Sequence, residues 1–361
     1  KPMGVKDFLP PEVRIKKHLE QIIEEIFEKW GYEEVIAPSF EYLETFLLSN
    51  RPGFSEKVFK FFDRQGAVMA LRPDMTTSIA RMVATHYSEH KLPLRFCYAT
   101  NVFRFQKPRK GRQQEFYQIG AELIGIDGIE ADMEIILLAS KILQEVGIKK
   151  FTVNIGHVKF LEGLLDEIES YSNKQLIFET IMDRNFILLE RIVKDISLKE
   201  DIKNIFTSFP KFYGGPEVMQ ELSQLPLNKK CQGALSELRA IEKALKSYEI
   251  QFTFDPGLAR DLDYYTGTVF ELYSPKAGFP LGGGGRYDGL MDKFNISRPA
   301  TGFALTEEVV LSTLKDDIVN YTPRYLYYDE ENFLDVLKES EKLKNQGFVV
   351  KLIPKKMCKG D

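Results

Sequence analysis

Asn101-Val102-Phe103-Arg104-Phe105-Gln106 and Glu115-Phe116-Tyr117-Gln118-Ile119-Gly120-Ala121-Glu122 belong to two apolar, β-rich runs that a short polar loop separates. The loop carries four cations, Lys107, Arg109, Lys110 and Arg112. Two such runs around a polar connection predict a long β-hairpin. Because the strands of a hairpin are antiparallel, this stretch predicts an antiparallel sheet with positive charge concentrated at the tip of the hairpin.

One face of the second arm is polar. Side chains alternate between the two faces of a strand, so Phe116, Gln118, Gly120 and Glu122 share a face, and Arg104 on the first arm can face the same pocket. A planar guanidinium and an aromatic ring suit a purine nucleotide, by pairing with a phosphate and stacking on the base. Gln118 and Glu122 carry acceptor oxygens that suit an ammonium group. The alternative interpretation is a solvated sheet face with a basic turn.

The chain on either side of the hairpin predicts an α+β fold. Apolar residues recur at helical spacing over three segments, 15–30, 76–90 and 130–146. Strand signals return in three later segments, 252–254, 268–273 and 301–305. Several strands are joined by hairpins rather than by crossover helices, so we expect a mostly antiparallel sheet flanked by helices.

The same pattern predicts two domains. The first covers 1–314 and includes a purely helical insertion at about 158–250. The second, 315–361, reads as one small β-α-β unit, which is too short to bury much core by itself.

Composition excludes several classes of protein. The 361 residues are 43% hydrophobic and 28% charged, which is typical of a globular chain. No apolar run approaches the roughly 20 residues of a membrane helix, so we expect a cytoplasmic protein with no membrane partner. Three scattered cysteines and four histidines predict neither a disulfide framework nor a metal site, and we expect no cofactor. A net charge of −4 argues weakly against a broad nucleic-acid surface.

Three further motifs are candidates for ligand contacts. Arg260-Asp261-Leu262-Asp263-Tyr264-Tyr265-Thr266-Gly267 places two phenols beside charged groups; tyrosine hydroxyls can hold a polar ring such as imidazole, although core aromatics are the alternative. Gly282-Gly283-Gly284-Gly285 indicates either close approach of the backbone to a ligand or positive φ angles, and it lacks the spacing of dinucleotide and P-loop motifs. Asp74 and Thr76 precede a helical run, where capping is the default and ligand binding is compatible with it.

Taken in order from about 4 to 314, these pieces resemble histidyl-tRNA synthetase and its relatives in the class II synthetase family. Residues 31–41 look like the first class II motif, which forms dimers, and 103–118 like the second, which binds the nucleotide. Residues 260–267 and 283–288 resemble the two histidine-specific signatures that other class II members lack. The resemblance implies a class II synthetase-like fold.

The resemblance also implies a histidine pocket. Four residues, Asp74, Thr76, Gln118 and Glu122, would surround the α-amino group of the ligand. Tyr264 and Tyr265 would meet the imidazole, and Arg260 would lie near the carboxylate. Asp74 departs from the family pattern, which has the longer glutamate there, but it keeps the acid.

The nucleotide half of the family pattern is damaged. Arg104, Arg112 and Phe116 remain as a vestigial nucleotide pocket. Gln106 replaces the glutamate of the second motif, and Gln114 stands where the family typically has another arginine. Val309 replaces the third-motif arginine that holds the ATP phosphates. Loss of a cation at a reacting phosphate removes several kcal/mol of stabilisation, so we expect adenylate formation to be very slow or absent.

The C-terminal segment supports the same view. Residues 315–361 contain nine Lys and Arg against nine Asp and Glu, and this neutral remnant is not expected to bind tRNA.

A synthetase-like chain with a kept histidine pocket and a damaged nucleotide pocket resembles the regulatory subunits of ATP phosphoribosyltransferase, the first enzyme of histidine biosynthesis. The resemblance implies a non-catalytic chain that forms a homodimer through 31–41. It further implies that the chain assembles with the short catalytic subunit in a hetero-oligomer. The catalytic subunit would require this chain for activity, and histidine would regulate that activity by feedback. The alternatives are a divergent but active histidyl-tRNA synthetase and a domain that serves another amino-acid-sensing partner.

Overall fold

The computed structural model describes residues 1–48, 54–105, 113–258, 264–314 and 322–358. The chain divides into two compact units, Lys1–Leu314 and Lys315–Asp361. No helix in these described ranges is both long enough and apolar enough to cross a membrane.

The strands are β1 (Glu33–Glu34), β2 (Phe40–Tyr42), β3 (Lys60–Phe62), β4 (Val68–Leu71), β5 (Leu94–Phe103), β6 (Glu115–Ile124), β7 (Thr152–His157), β8 (Phe252–Phe254), β9 (Thr268–Tyr273), β10 (Gly282–Arg286), β11 (Ala300–Thr306), β12 (Arg324–Tyr328) and β13 (Val350–Pro354). The α-helices are α1 (Pro10–Lys29), α2 (Leu43–Leu47), α3 (Thr76–His86), α4 (Ile129–Glu145), α5 (Val158–Asp166), α6 (Tyr171–Met182), α7 (Phe186–Asp195), α8 (Glu200–Ser208), α9 (Pro216–Ser223), α10 (Lys229–Ser247), α11 (Asp288–Lys293), α12 (Glu307–Thr313) and α13 (Phe333–Asn345).

An eight-stranded sheet forms the centre of the first unit, in the order β1-β5-β6-β11-β10-β9-β7-β8. The inner pairs are antiparallel, whereas β1 with β5 and β7 with β8 are parallel. The predicted α+β class is confirmed, and the sheet is mixed at its two edges.

The predicted hairpin is the pair β5 and β6. Its register runs from Leu94 opposite Ile124 to Phe103 opposite Glu115. Beyond the last ladder pair, the amide of Arg104 donates to the carbonyl of Gln114 at 2.8 Å. The four cations of its loop lie outside the described residues.

The sheet has two different faces because side chains alternate along each strand. On one face, Ile119, Ala121 and Leu123 of β6 join the large apolar core formed with α1 and α4. The other face carries Gln118 and Glu122 of β6, and a smaller core built around α3 packs on that side. The polar face of β6 is thereby enclosed by protein instead of by water.

The helices α5 to α10 form the insertion, which lies between β7 and β8 in the chain. β8 pairs with β7, so the chain returns to the sheet edge that it left. The insertion therefore does not interrupt the strands that carry the polar face.

The four glycines are strand β10, which lies between β9 and β11. A Cβ at Gly284 would lie 1.9 Å from the carbonyl oxygen of Gly302, and one at Gly282 would lie 2.3 Å from that of Ala304. The glycines are required mainly because neighbouring backbone comes close.

In the second unit, β12 and β13 pair in parallel and α13 connects them. This is the predicted β-α-β unit. The ring centroids of Tyr328 and Phe333 lie 4.9 Å apart.

Candidate amino-acid-binding site

A small pocket opens on the polar face of the sheet. Its described lining residues come from α3, β5, β6, β10, β11 and the segments beside them: Asp74, Thr76, Tyr98, Arg104, Gln118, Glu122, Tyr264, Tyr265, Gly283, Tyr287, Gly302, Phe303 and Ala304. The lining includes six of the residues predicted for histidine: Asp74, Thr76, Gln118, Glu122, Tyr264 and Tyr265. The predicted Arg260 and Arg112 lie outside the described residues.

Asp74 combines the two roles that the sequence left open. Its Oδ1 accepts from the amide of Thr77 at 2.9 Å, as in the capping of a helix start. Its Oδ2 is buried and has no hydrogen-bond partner among the described residues. Burial raises the pKa of the Asp74 carboxyl. The capping contact through Oδ1 therefore fixes the Asp74 side chain, and Oδ2 in the pocket wall can accept a hydrogen bond from a ligand.

Glu122 is held by two hydroxyl donors. The Thr76 hydroxyl donates to Oε1 at 2.7 Å, and the Tyr287 hydroxyl donates to Oε2 at 2.5 Å. The pKa of Glu122 is raised to about 8, chiefly by burial and with a smaller contribution from the nearby charge of Asp74, while the two hydroxyls oppose the shift. The two hydroxyls thus orient the carboxyl, and no ion pair to it is seen among the residues that the structure describes.

Gln118 supplies another acceptor. Its Oε1 is buried without a hydrogen-bond partner among the described residues, and the side chain lines the same pocket as Asp74. Buried acceptors without partners are rare and costly in folded proteins. The Asp74 and Gln118 acceptors, together with the protonatable carboxyl of Glu122, form a site that suits a ligand with several N–H donors and a positive charge.

Tyrosines enclose the pocket. Tyr98, Tyr264 and Tyr287 are buried, and burial raises the pKa of each phenol well above its usual value. They therefore stay neutral and can donate as well as accept. The ring centroids of Tyr264 and Tyr265 lie 4.9 Å apart, and those of Tyr264 and Tyr287 5.8 Å apart.

Sequence reasoning assigned no role to Tyr98 or Tyr287. Tyr287 stood inside the second histidine signature, which was a usable signal. Tyr98 lies opposite Gly120 in the hairpin, and a Cβ at Gly120 would come within 2.5 Å of its hydroxyl. Only the register of the hairpin brings that pair together.

Of the three residues predicted for the vestigial nucleotide pocket, Arg104 and Phe116 lie close together. The Arg104 guanidinium carbon lies 5.4 Å from the centre of the Phe116 ring, and its Nε donates to the carbonyl of Pro73 at 2.8 Å. Phe116 is 8% exposed, which leaves little ring surface on which a base could stack. Arg104 lines the amino-acid pocket, whereas Phe116 is not among the described lining residues.

The third-motif residues serve internal contacts. Glu308 accepts from the amide of Tyr117 at 2.9 and 3.1 Å, and Glu307 accepts from Lys16 at 2.6 Å. Burial raises the pKa of Glu307 to about 7, although Lys16 opposes the shift. Val309 packs against the large apolar core. In the part of the chain that the structure describes, no group of three or more His, Cys, Asp and Glu side chains could hold a metal ion.

Known proteins resemble this chain in sequence and in fold. A family model described as histidyl-tRNA synthetase matches residues 4–310. The ATP phosphoribosyltransferase regulatory subunit of Moorella thermoacetica is 37% identical over 358 residues, which cover 97% of this chain and 91% of that protein. The regulatory subunit of Desulforamulus reducens is 38% identical over 354 residues, covering 96% and 88% respectively.

A solved structure is similar over the same length. The crystal structure described as an ATP phosphoribosyltransferase regulatory subunit/histidyl-tRNA synthetase from Bacillus halodurans C matches with a TM-score of 0.89 at 32% identity. The match covers 98% of this chain and 92% of that chain. The chain therefore belongs to the histidyl-tRNA synthetase-like fold family and, within it, to the ATP phosphoribosyltransferase regulatory subunits.

Proposed function

We propose that this chain binds histidine in the pocket around Glu122 and carries the histidine signal to a catalytic ATP phosphoribosyltransferase subunit that requires it for activity. Family membership gives a regulatory, non-catalytic role in histidine biosynthesis. The observation that carries the proposal is a pair of buried acceptors in one pocket wall, Asp74 Oδ2 and Gln118 Oε1, which have no hydrogen-bond partner in the described part of the chain.

The chemistry of the pocket suits a zwitterion with a polar ring. An α-ammonium group can donate to Asp74 Oδ2 and Gln118 Oε1, and such charge-assisted hydrogen bonds are stronger than neutral ones. Glu122 belongs to the same ammonium site. Imidazole has one ring N–H and one acceptor nitrogen, which match the phenols of Tyr264 and Tyr265. By the family resemblance, Arg260 is the proposed partner of the ligand carboxylate.

The pocket does not favour the alternative of an active synthetase. A nucleotide would need cations at its phosphates, yet Val309 stands in place of the third-motif arginine and packs against the core. ATP–pyrophosphate exchange with histidine distinguishes the two functions, since robust turnover would contradict the regulatory assignment.

We propose a homodimer through 31–41. Ile36, Phe40 and Tyr42 in and beside this segment are 85%, 50% and 57% exposed, and the ring of Phe61 lies 5.7 Å from that of Phe40. Clustered exposed apolar side chains are typical of interaction surfaces. We further propose that the dimer joins the short catalytic subunit in a cytoplasmic hetero-oligomer. In this proposal, domain 1–314 carries the histidine site and 315–361 does not bind tRNA.

The decisive experiment is calorimetric titration of histidine into this chain, alone and mixed with the short catalytic subunit, together with transferase activity. Histidine can act as an effector only if it binds differently to active and inhibited arrangements. We expect binding, activation of the catalytic subunit by this chain, and loss of that activation as histidine is added. Histidine affinity that is absent with and without the partner would refute the site.

A further inference from the structure

Arg286 ends strand β10 in the second histidine signature, and neither the motif nor the pocket gives it a ligand. Its side chain is 6% exposed and is not among the described lining residues. Its Nε and Nη2 lie 3.1 Å from Oδ2 and Oδ1 of Asp132. Nη2 also donates to the carbonyl of Gly128 at 2.5 Å, and Nη1 to that of Ile126 at 3.3 Å. The guanidinium is thus fixed to the start of α4.

The same guanidinium fastens the turn that follows it. Nη1 lies 3.3 Å from Oδ1 of Asp288, which also accepts from the amide of Ala300 at 2.9 Å. The amide of Asp288 donates to the hydroxyl of Thr266 at 3.1 Å. Between these two anchored residues, the amide of Tyr287 donates to the carbonyl of Ala300 at 2.8 Å. The backbone of Tyr287 therefore has little freedom to move.

Tyr287 connects this restrained turn to the pocket. Its ring is 2% exposed and its hydroxyl lies 2.5 Å from Oε2 of Glu122. The first histidine signature meets the same arginine, because a Cβ at Gly267 would lie 3.0 Å from Arg286 Cδ. Both signatures and α4 therefore converge on a side chain that lies outside the pocket.

We propose that Arg286 is a positioning residue for the amino-acid site: it locks the 286–288 turn so that the Tyr287 hydroxyl holds Glu122 in its binding orientation. A guanidinium suits this task because its planar fork binds a carboxylate through two contacts and keeps further N–H groups for carbonyls. A lysine ammonium lacks that fork. The inference deepens the proposed function and rests on histidine binding in this pocket.

A double-mutant cycle tests whether Arg286 affects histidine binding through Tyr287. Histidine affinity is measured by calorimetry for the wild type, Arg286→Lys, Tyr287→Phe and the double variant. We expect each single change to weaken binding about tenfold and the double variant to lose about the same, because both act through one contact and are not additive. A loss of about a hundredfold in the double variant, or full affinity in Arg286→Lys, would overturn the proposal.

A measurement without histidine separates this inference from the proposed function. The carboxyl signal of Glu122, identified by its absence in Glu122→Gln, is titrated by ¹³C NMR. Hydrogen bonds to a carboxylate lower its pKa, so we expect both Arg286→Lys and Tyr287→Phe to move the Glu122 midpoint upward. If the wild type fails to bind histidine while both variants still shift the Glu122 midpoint upward, the ligand is refuted and the positioning role is kept. A shift in Tyr287→Phe alone would refute the positioning role.

The helical insertion offers a matched control. Arg184 forms an ion pair with Asp255, which is 3% exposed, and neither residue is among the described pocket lining. Arg184→Lys should leave both the midpoint and histidine affinity unchanged. If Arg286→Lys does not fold, Asp132→Asn removes the main carboxylate partner instead, and the same upward shift and about tenfold weakening are expected. A folded Asp132→Asn variant with the wild-type Glu122 midpoint and wild-type histidine affinity would contradict the positioning role of Arg286.

Discussion

Gly302 on β11 lies directly opposite Glu122 on β6, and the absence of a side chain at Gly302 leaves room for the carboxylate. A Cβ at Gly302 would lie 1.7 Å from Oε2 of Glu122 and 2.7 Å from the carbonyl oxygen of Ala121. Atoms cannot approach to the first of these distances, so any other residue would displace Glu122. Gly302 thus shapes the amino-acid pocket, seven residues before Val309, which stands in place of the third-motif arginine.

Gly302→Ala should therefore impair histidine binding. The added methyl group must push Glu122 away from Thr76 and Tyr287, and we expect affinity to fall at least about tenfold, the equivalent of about 1.4 kcal/mol for one disrupted charge-assisted hydrogen bond. Calorimetric titration measures the change.

Gly233→Ala is the matched control. Gly233 lies inside α10, and a Cβ there would meet no atom within 4 Å. Replacing a helix glycine by alanine typically stabilises by about 0.5–1 kcal/mol, so this variant should melt at a higher temperature and bind histidine normally. Wild-type affinity in Gly302→Ala would show that the ligand does not depend on Glu122.

Glu122→Gln should weaken histidine binding by about 1.5–3 kcal/mol. A carboxylate accepts from both Thr76 and Tyr287, whereas an amide offers one oxygen and turns an NH₂ group towards the other hydroxyl. The variant also lacks the negative charge that the ligand needs. Calorimetric affinities of the two proteins give the difference.

The control for this change is Glu134→Gln on α4. Tyr32 donates to Glu134 Oε1 at 2.9 Å, which resembles the contact between Tyr287 and Glu122, but Glu134 is not among the described residues of the pocket. Its replacement should leave affinity unaltered. Equal affinity of Glu122→Gln and wild type would place histidine elsewhere in the complex.

Local sequence patterns were sufficient to predict most of the polar side chains that line the pocket. Strand alternation placed Gln118 and Glu122 on one face, and a helix start placed Asp74 and Thr76 near each other, because both patterns depend on residues close in the chain. The family resemblance then associated these residues with Tyr264 and Tyr265. The structure shows all six in one lining.

The residues that sequence reasoning missed depend on long-range register. Gly302 reads as part of a damaged nucleotide motif until its pairing with Glu122 is known. Tyr98 reads as a core aromatic until its position opposite Gly120 is known. The role of Arg286 depends in the same way on its contact with Asp132, which joins positions far apart in the chain. A single sequence gives no measure of such pairings.

Val309→Arg should raise ATP affinity modestly without restoring catalysis. The new guanidinium supplies a phosphate partner worth about 1.5–3 kcal/mol at most, but it must leave the apolar core against which Val309 packs. The second motif also still has Gln106 and Gln114 in place of charged family residues. We expect tighter binding of ATP by calorimetry and no ATP–pyrophosphate exchange. Unchanged ATP affinity would mean that another feature closed the nucleotide pocket.

Histidine binding should release a proton near neutral pH. Burial raises the pKa of Glu122 to about 8, so at pH 7 the carboxyl is mostly protonated in the free protein. A neighbouring ammonium group favours the carboxylate and lowers that pKa. Binding therefore expels the proton, and affinity should increase as the pH rises towards about 8. The sign for folding is opposite: the stability contributed by the neutral carboxyl is lost as the pH rises through about 8.

Calorimetry at pH 7 in buffers of different ionisation enthalpy measures the released protons from the slope of the apparent binding heat. Histidine's own groups titrate in the same way with wild type and with Glu122→Gln, so the difference between their slopes isolates Glu122. We expect that difference to approach one proton per site. Identical slopes for the two proteins would show that the carboxyl of Glu122 does not change its charge when histidine binds.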